Sequence, residues 1–256
     1  WVETNAGLDS LGRTTCNSGL ELIDLNSFLV DTALFPSEGA MWEEVTPTGG
    51  AFDPVTGIFD PTDVPAGTYT IRYIALGGLI CDNDTSLHEV IVYDQPEAGD
   101  DGTGEVCNEI GFTFDVSSLL SGHDPGGTWS EVTPTGGAFN TLTGILTIDG
   151  VLAPGDYTFE YTLLGTDPCI DDVAQFTITV NALPVINPIA DRQICIGDET
   201  TLTATGDPAD YVWDPATVTN GVPFTPDVGL VTYTVTATDA NGCVADCSVT
   251  IVSEPC

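Results

Sequence analysis

Any chemistry in this chain rests on very few groups. Histidine occurs twice, at His88 and His123, and lysine plus arginine number 3 against 39 aspartates and glutamates. Three cations are a thin supply for stabilising an anionic transition state. The sequence holds no H-E-x-x-H, no G-x-S-x-G and no glycine-rich phosphate loop. Cys243-x-x-x-Cys247 has the look of a metal clip, but no histidine or second cysteine pair completes a zinc set. Carboxylate pairs are so common here that none marks a glycosidase. The expectation is a protein that is not an enzyme and requires no cofactor.

The elements that would position such groups repeat. The nonapeptide EVTPTGGAF stands at Glu44–Phe52 and again at Glu131–Phe139, each copy two residues after a tryptophan, Trp42 and Trp129. Around it, CNSGLELIDLNSFL from Cys16 matches CNEIGFTFDVSSLL from Cys107. VPAGTYTIRYIALGGLIC (Val64–Cys81) matches LAPGDYTFEYTLLGTDPC (Leu152–Cys169). A shorter third copy runs from ICIGDETTLTATG through DYVWDP to Cys243. The reading is three modules, residues 1–96, 97–183 and 184–256, with boundaries where proline or glycine follows a β-run.

Within a module the side-chain period is two, as in TYTIRYIAL, DYTFEYTLL and TYTVTATDA, and turn residues recur about every ten positions. That predicts an all-β tandem array of three sandwiches, each of about seven short strands. Trp42, Trp129 and Trp213 fall on a mid-module strand as core plugs. Tyr69, Tyr157 and Tyr233 are expected to tie a turn backbone as tyrosine corners. Only DLNSFLVDTALF and DVSSLLSGH hint at a helical turn, and both are too short to stand alone.

The formal charge of −36 repels phosphate backbones and anionic lipid, so neither nucleic acid nor membrane insertion is expected. No apolar run is long enough for a transmembrane helix. The opening WVETNAGLDSLG reads as a mature or excised fragment whose export signal is absent. Eight cysteines at regular places point to an oxidising compartment.

The pattern P-x-A-G-D-D-G…V-C-N…G-G-T-W…G-x-F…A-G-x-Y-x-x-x-Y…C resembles the Ig-like/PKD-like repeats of large exported surface proteins of Bacteroidota, many of them type IX secretion substrates. The resemblance covers nearly the whole chain; the first module departs from it with GAMW in place of GGTW and a longer DTALFPSE insert. It implies a non-enzymatic, extracellular, cell-surface stalk or filament-forming segment of an adhesin. Its partners would be neighbouring modules of the same protein or identical subunits. The alternative is a carbohydrate-binding accessory module of a secreted hydrolase, with surface glycans as ligand. Asp9-Ser10-Leu11 and Asp31-Thr32-Ala33 resemble that phylum's O-glycosylation site, and Asn83-Asp84-Thr85 is an N-x-T sequon. These make Ser10, Thr32 and Asn83 candidate glycan carriers, although such short patterns also arise by chance.

Two expectations concern cross-links and ions. Parity favours bridges within modules, Cys16–Cys81, Cys107–Cys169 and Cys195–Cys243, closing loops of about 50–65 residues worth roughly 4 kcal/mol each. Cys247 and Cys256 would then bridge each other or a following module. Against this, a strictly Ig-like order puts the two cysteines of a module at opposite ends. It would instead link Cys16 to Cys169 and Cys107 to Cys243, because a bridge needs Cα atoms within about 7 Å. At the first junction, Asp100 and Asp101 should lie near Asp167, Asp171 and Asp172. With so much aspartate the plainer reading is a solvated acidic face; the sharper one is a bound calcium ion relieving the repulsion.

Overall fold

The computed structural model describes residues 5–19, 21–29, 39–77, 81–150, 152–207 and 210–256. Its strands form three successive pairs of sheets. The first pair uses β1 (Ser10–Cys16), β2 (Ile23–Asp24), β3 (Ala40–Glu44), β4 (Phe52–Asp53), β5 (Ile58–Phe59), β6 (Gly67–Ala75) and β7 (Asp84–Tyr93), in the orders β1-β7-β6-β3 and β2-β5-β4. The second uses β8 (Gly102–Cys107), β9 (Thr113–Asp115), β10 (Thr128–Glu131), β11 (Phe139–Asn140), β12 (Ile145–Thr147), β13 (Gly155–Leu163) and β14 (Asp172–Asn181). It repeats the plan as β10-β13-β14-β8 and β11-β12-β9. The third uses β15 (Arg192–Cys195), β16 (Thr200–Thr201), β17 (Asp210–Asp214), β18 (Pro223–Phe224), β19 (Gly229–Thr238) and β20 (Val244–Glu254), as β15-β20-β19-β17 and β16-β18. Its smaller sheet has two strands among the described residues where the others have three.

By contacts the chain divides into two compact units. One is Trp1–Asp100 with Ser121–Thr128 and Tyr161–Ala174; the other is Asp101–Leu120 with Trp129–Glu160 and Gln175–Cys256. The division passes through the second pair of sheets.

Each pair of sheets encloses an apolar core, as the alternation requires. In the first, Ile23, Phe52 and Phe59 of the small sheet pack with Trp42, Ile71, Val90 and Val92 of the large one. The tryptophans plug these cores as expected: Trp42 and Trp213 are buried and Trp129 half-buried. The indole N–H of Trp42 donates to Asn26 and that of Trp213 to Asn220. Among the described residues the two helical hints contain the 3-10 turns Leu25–Phe28 and Val116–Leu119, each capped by the preceding aspartate, Asp24 or Asp115.

The repeated nonapeptide is a structural turn. The Thr48 hydroxyl donates to the Glu44 carboxylate and accepts the amide of Phe52 at 3.0 Å. Thr135 does the same between Glu131 and Phe139. The paired glycines that follow take positive φ in both copies, 71° and 100° at Gly49 and Gly50 and 71° and 99° at Gly136 and Gly137. Three of the nine residues thus form one hydrogen-bonded unit in both copies.

Two of the three expected tyrosine corners share one geometry. Tyr69 donates to the Pro65 carbonyl at 2.9 Å and Tyr157 to the Ala153 carbonyl at 2.8 Å. Tyr233 reaches its turn from a different position. Counting from the glycine that opens each strand, Tyr69 and Tyr157 are third residues, and the third residue of β19 is Val231. Tyr233 stands two places further on, level with Ile71 and Phe159, and is buried in the core. A shift of two keeps the side chain on the same face, and the Tyr233 hydroxyl still meets the turn ahead of its strand, through the backbone of Asp227.

Gly57 and Gly144 share a position with φ of 72° and 71°, and a Cβ there would come within 2.8 Å of the Nε1 of Trp42 or Trp129. Gly136 has the same φ as Gly144 but open space around it. Gly136→Ala should therefore cost only the left-handed penalty, about 1–2 kcal/mol. Gly144→Ala should cost that plus about 1–3 kcal/mol of overpacking. Urea unfolding of both variants measures the difference; equal losses would show that the tryptophan contact does not matter.

Candidate functional site

The side chains with catalytic potential are dispersed into structural work. Arg72 pairs with Glu43 at 2.6 Å on the surface, where such a pair adds little. Arg13 lies over the Phe28 ring, and Arg192 donates to the Thr200 hydroxyl and the Thr201 carbonyl. His123 packs edge-on against Tyr161. His88, 1% exposed, is the one buried histidine. Its Nε2 lies 2.9 Å from the Ser86 hydroxyl, which itself donates to the Ala6 carbonyl at 2.8 Å. The hydroxyl proton is thus committed, so Nε2 must carry the donor proton and Nδ1, without a partner, the lone pair. Burial pushes the His88 pKa below its ordinary value, against the opposing pull of the Asp9 carboxylate.

The built sites are the places where one repeat meets the next. Cys16 ends β1, which runs parallel to β7 with Cys16 opposite Tyr93. Its sulfur is bonded to Cys169, in the loop between β13 and β14, with Cα atoms 5.0 Å apart. Beside the bridge, the Gln95 side chain donates to the Ile170 carbonyl at 2.8 Å, and the Asn17 side chain accepts the Gln95 amide. Cys107 ends β8, parallel to β14 and opposite Asn181, and is bonded to Cys243 in the loop between β19 and β20 with Cα atoms 5.5 Å apart. The Cys243 amide donates to Asp239. Three of these four cysteines are nearly inaccessible, with Cys16 at 8%, Cys169 at 7% and Cys243 at 0% exposure.

This corrects the expected bridges within modules. Cys16 sits at the Gly67/Val92 end of the β6–β7 pair, whereas Cys81 lies in the loop beyond the Ala75/Asp84 end. Eight residue steps at about 3.4 Å separate those ends by roughly 27 Å, far beyond disulfide reach. The same holds for Cys107 with Cys169 and for Cys195 with Cys243. Cys195 is bonded to Cys256 instead, so Cys256 does not pair with Cys247.

The expected calcium ligands are placed as follows. Asp172 accepts the Ala98 amide at 2.6 Å, Asp101 the Gln175 amide at 2.7 Å and Asp171 the Gly165 amide at 2.9 Å. Asp100 and Asp167 are exposed. Among the described residues no group of three or more His, Cys, Asp or Glu gathers to hold a metal ion. Of the glycan candidates, Ser10 opens β1. Asn83 is exposed and accepts the Gly77 amide at 3.1 Å. Thr32 lies outside the described residues.

No family model matches the chain, and no curated protein matches it. Among solved structures it is similar to human CDH23 EC21-23, with 12% identity over 96% of this chain and 100% of that one, at a TM-score of 0.41. It is also similar to the I-band fragment I67-I69 from titin, with 14% identity over 84% and 87% of the two chains and a TM-score of 0.38. Sidekick-1 immunoglobulin domains 1-4 match with 14% identity over 98% and 75%, at 0.32. At these scores the sheet order and cross-links of the chain itself carry the assignment to tandem β-sandwiches.

Non-reducing peptide mapping should recover the Cys16–Cys169 and Cys107–Cys243 peptides, and Cys16→Ser with Cys169→Ser should lower unfolding stability by about 2–5 kcal/mol. A Cys16–Cys81 peptide would contradict the geometry above. His88 gives a pH signature. The unfolded chain titrates near 6.5 and the folded chain lower, so between those values the unfolded state binds the extra proton. Stability is then full above about pH 6.5 and falls with acidification. His88→Gln should flatten that slope in thermal melts between about pH 6.5 and 5.

Proposed function

We propose that the chain is a non-enzymatic, extracellular, load-bearing segment of a bacterial cell-surface protein, a stalk or a part of a filament. The observation that carries this is the twice-repeated cross-link in which the first-strand cysteine of one repeat is bonded to the hairpin cysteine of the next. Buried bridges of this kind persist in oxidising surroundings outside the cytoplasm. They resist separation of neighbouring repeats, which a fold serving only its own core does not need. The commitment of all three arginines to packing or pairing supports the absence of catalysis. The burial of Trp42 and Trp213 in their cores leaves them poor platforms for a sugar ring.

Pulling single molecules by their ends tests the reading. With the three disulfides intact, the shortest covalent path runs through residues 1–16, across to 169, on to 195 and across to 256. The oxidised chain should extend to roughly a sixth of the length of the reduced chain, since reach scales with residues released. Equal extensions would remove the mechanical role, and strong binding on a glycan array would favour the carbohydrate-binding alternative.

A further inference from the structure

The last strands of the three repeats share one frame. Cys16, Cys107 and Cys195 stand opposite Tyr93, Asn181 and Glu254. Counting back from those partners puts Ser86 and His88 of β7 level with Ala174 and Phe176 of β14 and with Cys247 and Val249 of β20. Ala174 and Phe176 are wholly buried apolar side chains. The first repeat alone sets a serine and a histidine at these places, 0% and 1% exposed. Polar groups in a core cost stability that an alanine and a phenylalanine do not.

The pair is tied to the segment that leads into the repeat. Ala6 donates its amide to Asp84 at 2.8 Å, and its carbonyl accepts the Ser86 hydroxyl at 2.8 Å. Asp9 accepts the Leu87 amide at 2.7 Å. The second repeat has the two aspartate contacts, Asp172 with Ala98 and Asp101 with Gln175, but Ala174 has no hydroxyl to add. Behind the serine, the His88 Nε2–H donates to Ser86, and Nδ1 is left without a partner in the core. The leading segment also has a place to bend. β8 follows β14 in unbroken register from Gly102 to Cys107. β1 instead slips against β7 between Ser10 and Arg13, where Leu11 is exposed and Gly12 has a φ of 84°.

We infer that Ser86 and His88 form an acid-operated latch: protonation of His88 frees residues 5–12 from β7 as far as that irregularity, while Cys16 stays bonded to Cys169. The latch stands apart from the load-bearing reading. With Nε2–H already donating, a second proton goes to Nδ1, which has no acceptor in the closed core. The groups around the ring supply none. Asp9 is the charge set against it, and its carboxylate is taken by the Leu87 amide. β3 presents Trp42, whose ring lies 5.3 Å away and whose N–H goes to Asn26. β6 presents Ile71, opposite His88, and Tyr73, a neutral phenol against Trp42 whose pKa burial raises. Arg13, further along β1, lies over Phe28, Asp84 holds the Ala6 amide and Asp24 caps its own turn. The imidazolium therefore reaches water only when an element moves aside. β1 is the edge strand and pairs with β7 alone, so it yields first. A free histidine titrates near 6.5 and the buried ring lower, so each pH unit below about 6.5 favours the open form by up to roughly tenfold. The latch is shut at neutral pH and released in acid.

Amide-resolved hydrogen exchange of the oxidised 256-residue chain at about pH 7 and about pH 5, corrected for the intrinsic pH dependence of exchange, tests this. Protection of the Ala6 and Leu87 amides should fall about tenfold at the lower pH. Ala98 and Gln175, held by the matching aspartates of the second repeat, should keep theirs, which separates the latch from protonation of carboxylates. Ser86→Ala with His88→Phe, the pair that the second repeat uses, should remove the change. His88→Gln should remove it too, and serves where the larger ring is not accommodated. Protection that does not fall, a parallel fall at Ala98 and Gln175, or an equal fall across the β3 and β6 amides would each overturn the inference. So would an acid response that survives in the variants. None of these outcomes touches the extension of the oxidised chain under force, which tests the load-bearing reading by itself.

Discussion

The pairing of the first strand of each repeat with its last is the constraint from which the rest follows. Because β1, β8 and β15 run parallel to β7, β14 and β20, each first strand ends where its repeat hands over to the next. An antiparallel arrangement would place its terminal cysteine beside the hairpin of its own repeat. The parallel one carries it to the opposite end, where Cys16 and Cys107 each meet a cysteine in the hairpin loop of the following repeat. An acidic residue fixes this register each time: Asp9, Asp101 and Asp191 accept the amides of Leu87, Gln175 and Thr250 at 2.6–2.7 Å. Each of these amides lies just before the first strand's opening partner.

That use of carboxylates explains a composition that looks made for metal. A chain almost without cations leaves most acidic side chains no ion-pair partner, and here they turn to the backbone. Asp24 and Asp115 cap turns, Glu44 and Glu131 hold the nonapeptide turn through a threonine, and Asp84 and Asp172 hold the incoming linker. A carboxylate accepting from a backbone N–H forms a charge-assisted bond that needs no counter-ion of its own. Proximity in sequence reports how many such groups there are, not which way each one faces, and so Asp100, Asp101, Asp167, Asp171 and Asp172 looked like a set.

Much of the fold was legible because it rests on local periodicity. The alternation in β6, β13 and β19, the tryptophans on β3, β10 and β17, and the shortness of the helical turns all follow from side-chain pattern over ten residues or fewer. Tyr233 meets its turn from a position offset by two, a difference that the pattern does not show because such an offset preserves it. The disulfides were not legible from parity because partner choice depends on strand direction, a long-range property that spacing does not encode. The Ig-like order pointed to Cys16–Cys169 and Cys107–Cys243, and the bonding follows that order. Cys195–Cys256 had no signal at all, since Cys256 lies outside the repeated frame.

The three bonds close rings over residues 16–169, 107–243 and 195–256, and each ring overlaps the next. A protease that cuts one peptide bond anywhere from Cys16 to Cys256 therefore severs the backbone without separating the pieces. The exposed turn at residues 121–126 sits inside the first ring and is the kind of loop that proteases take first. In a medium rich in hydrolytic enzymes the chain can be nicked there and remain one molecule, failing only when a reductant arrives as well.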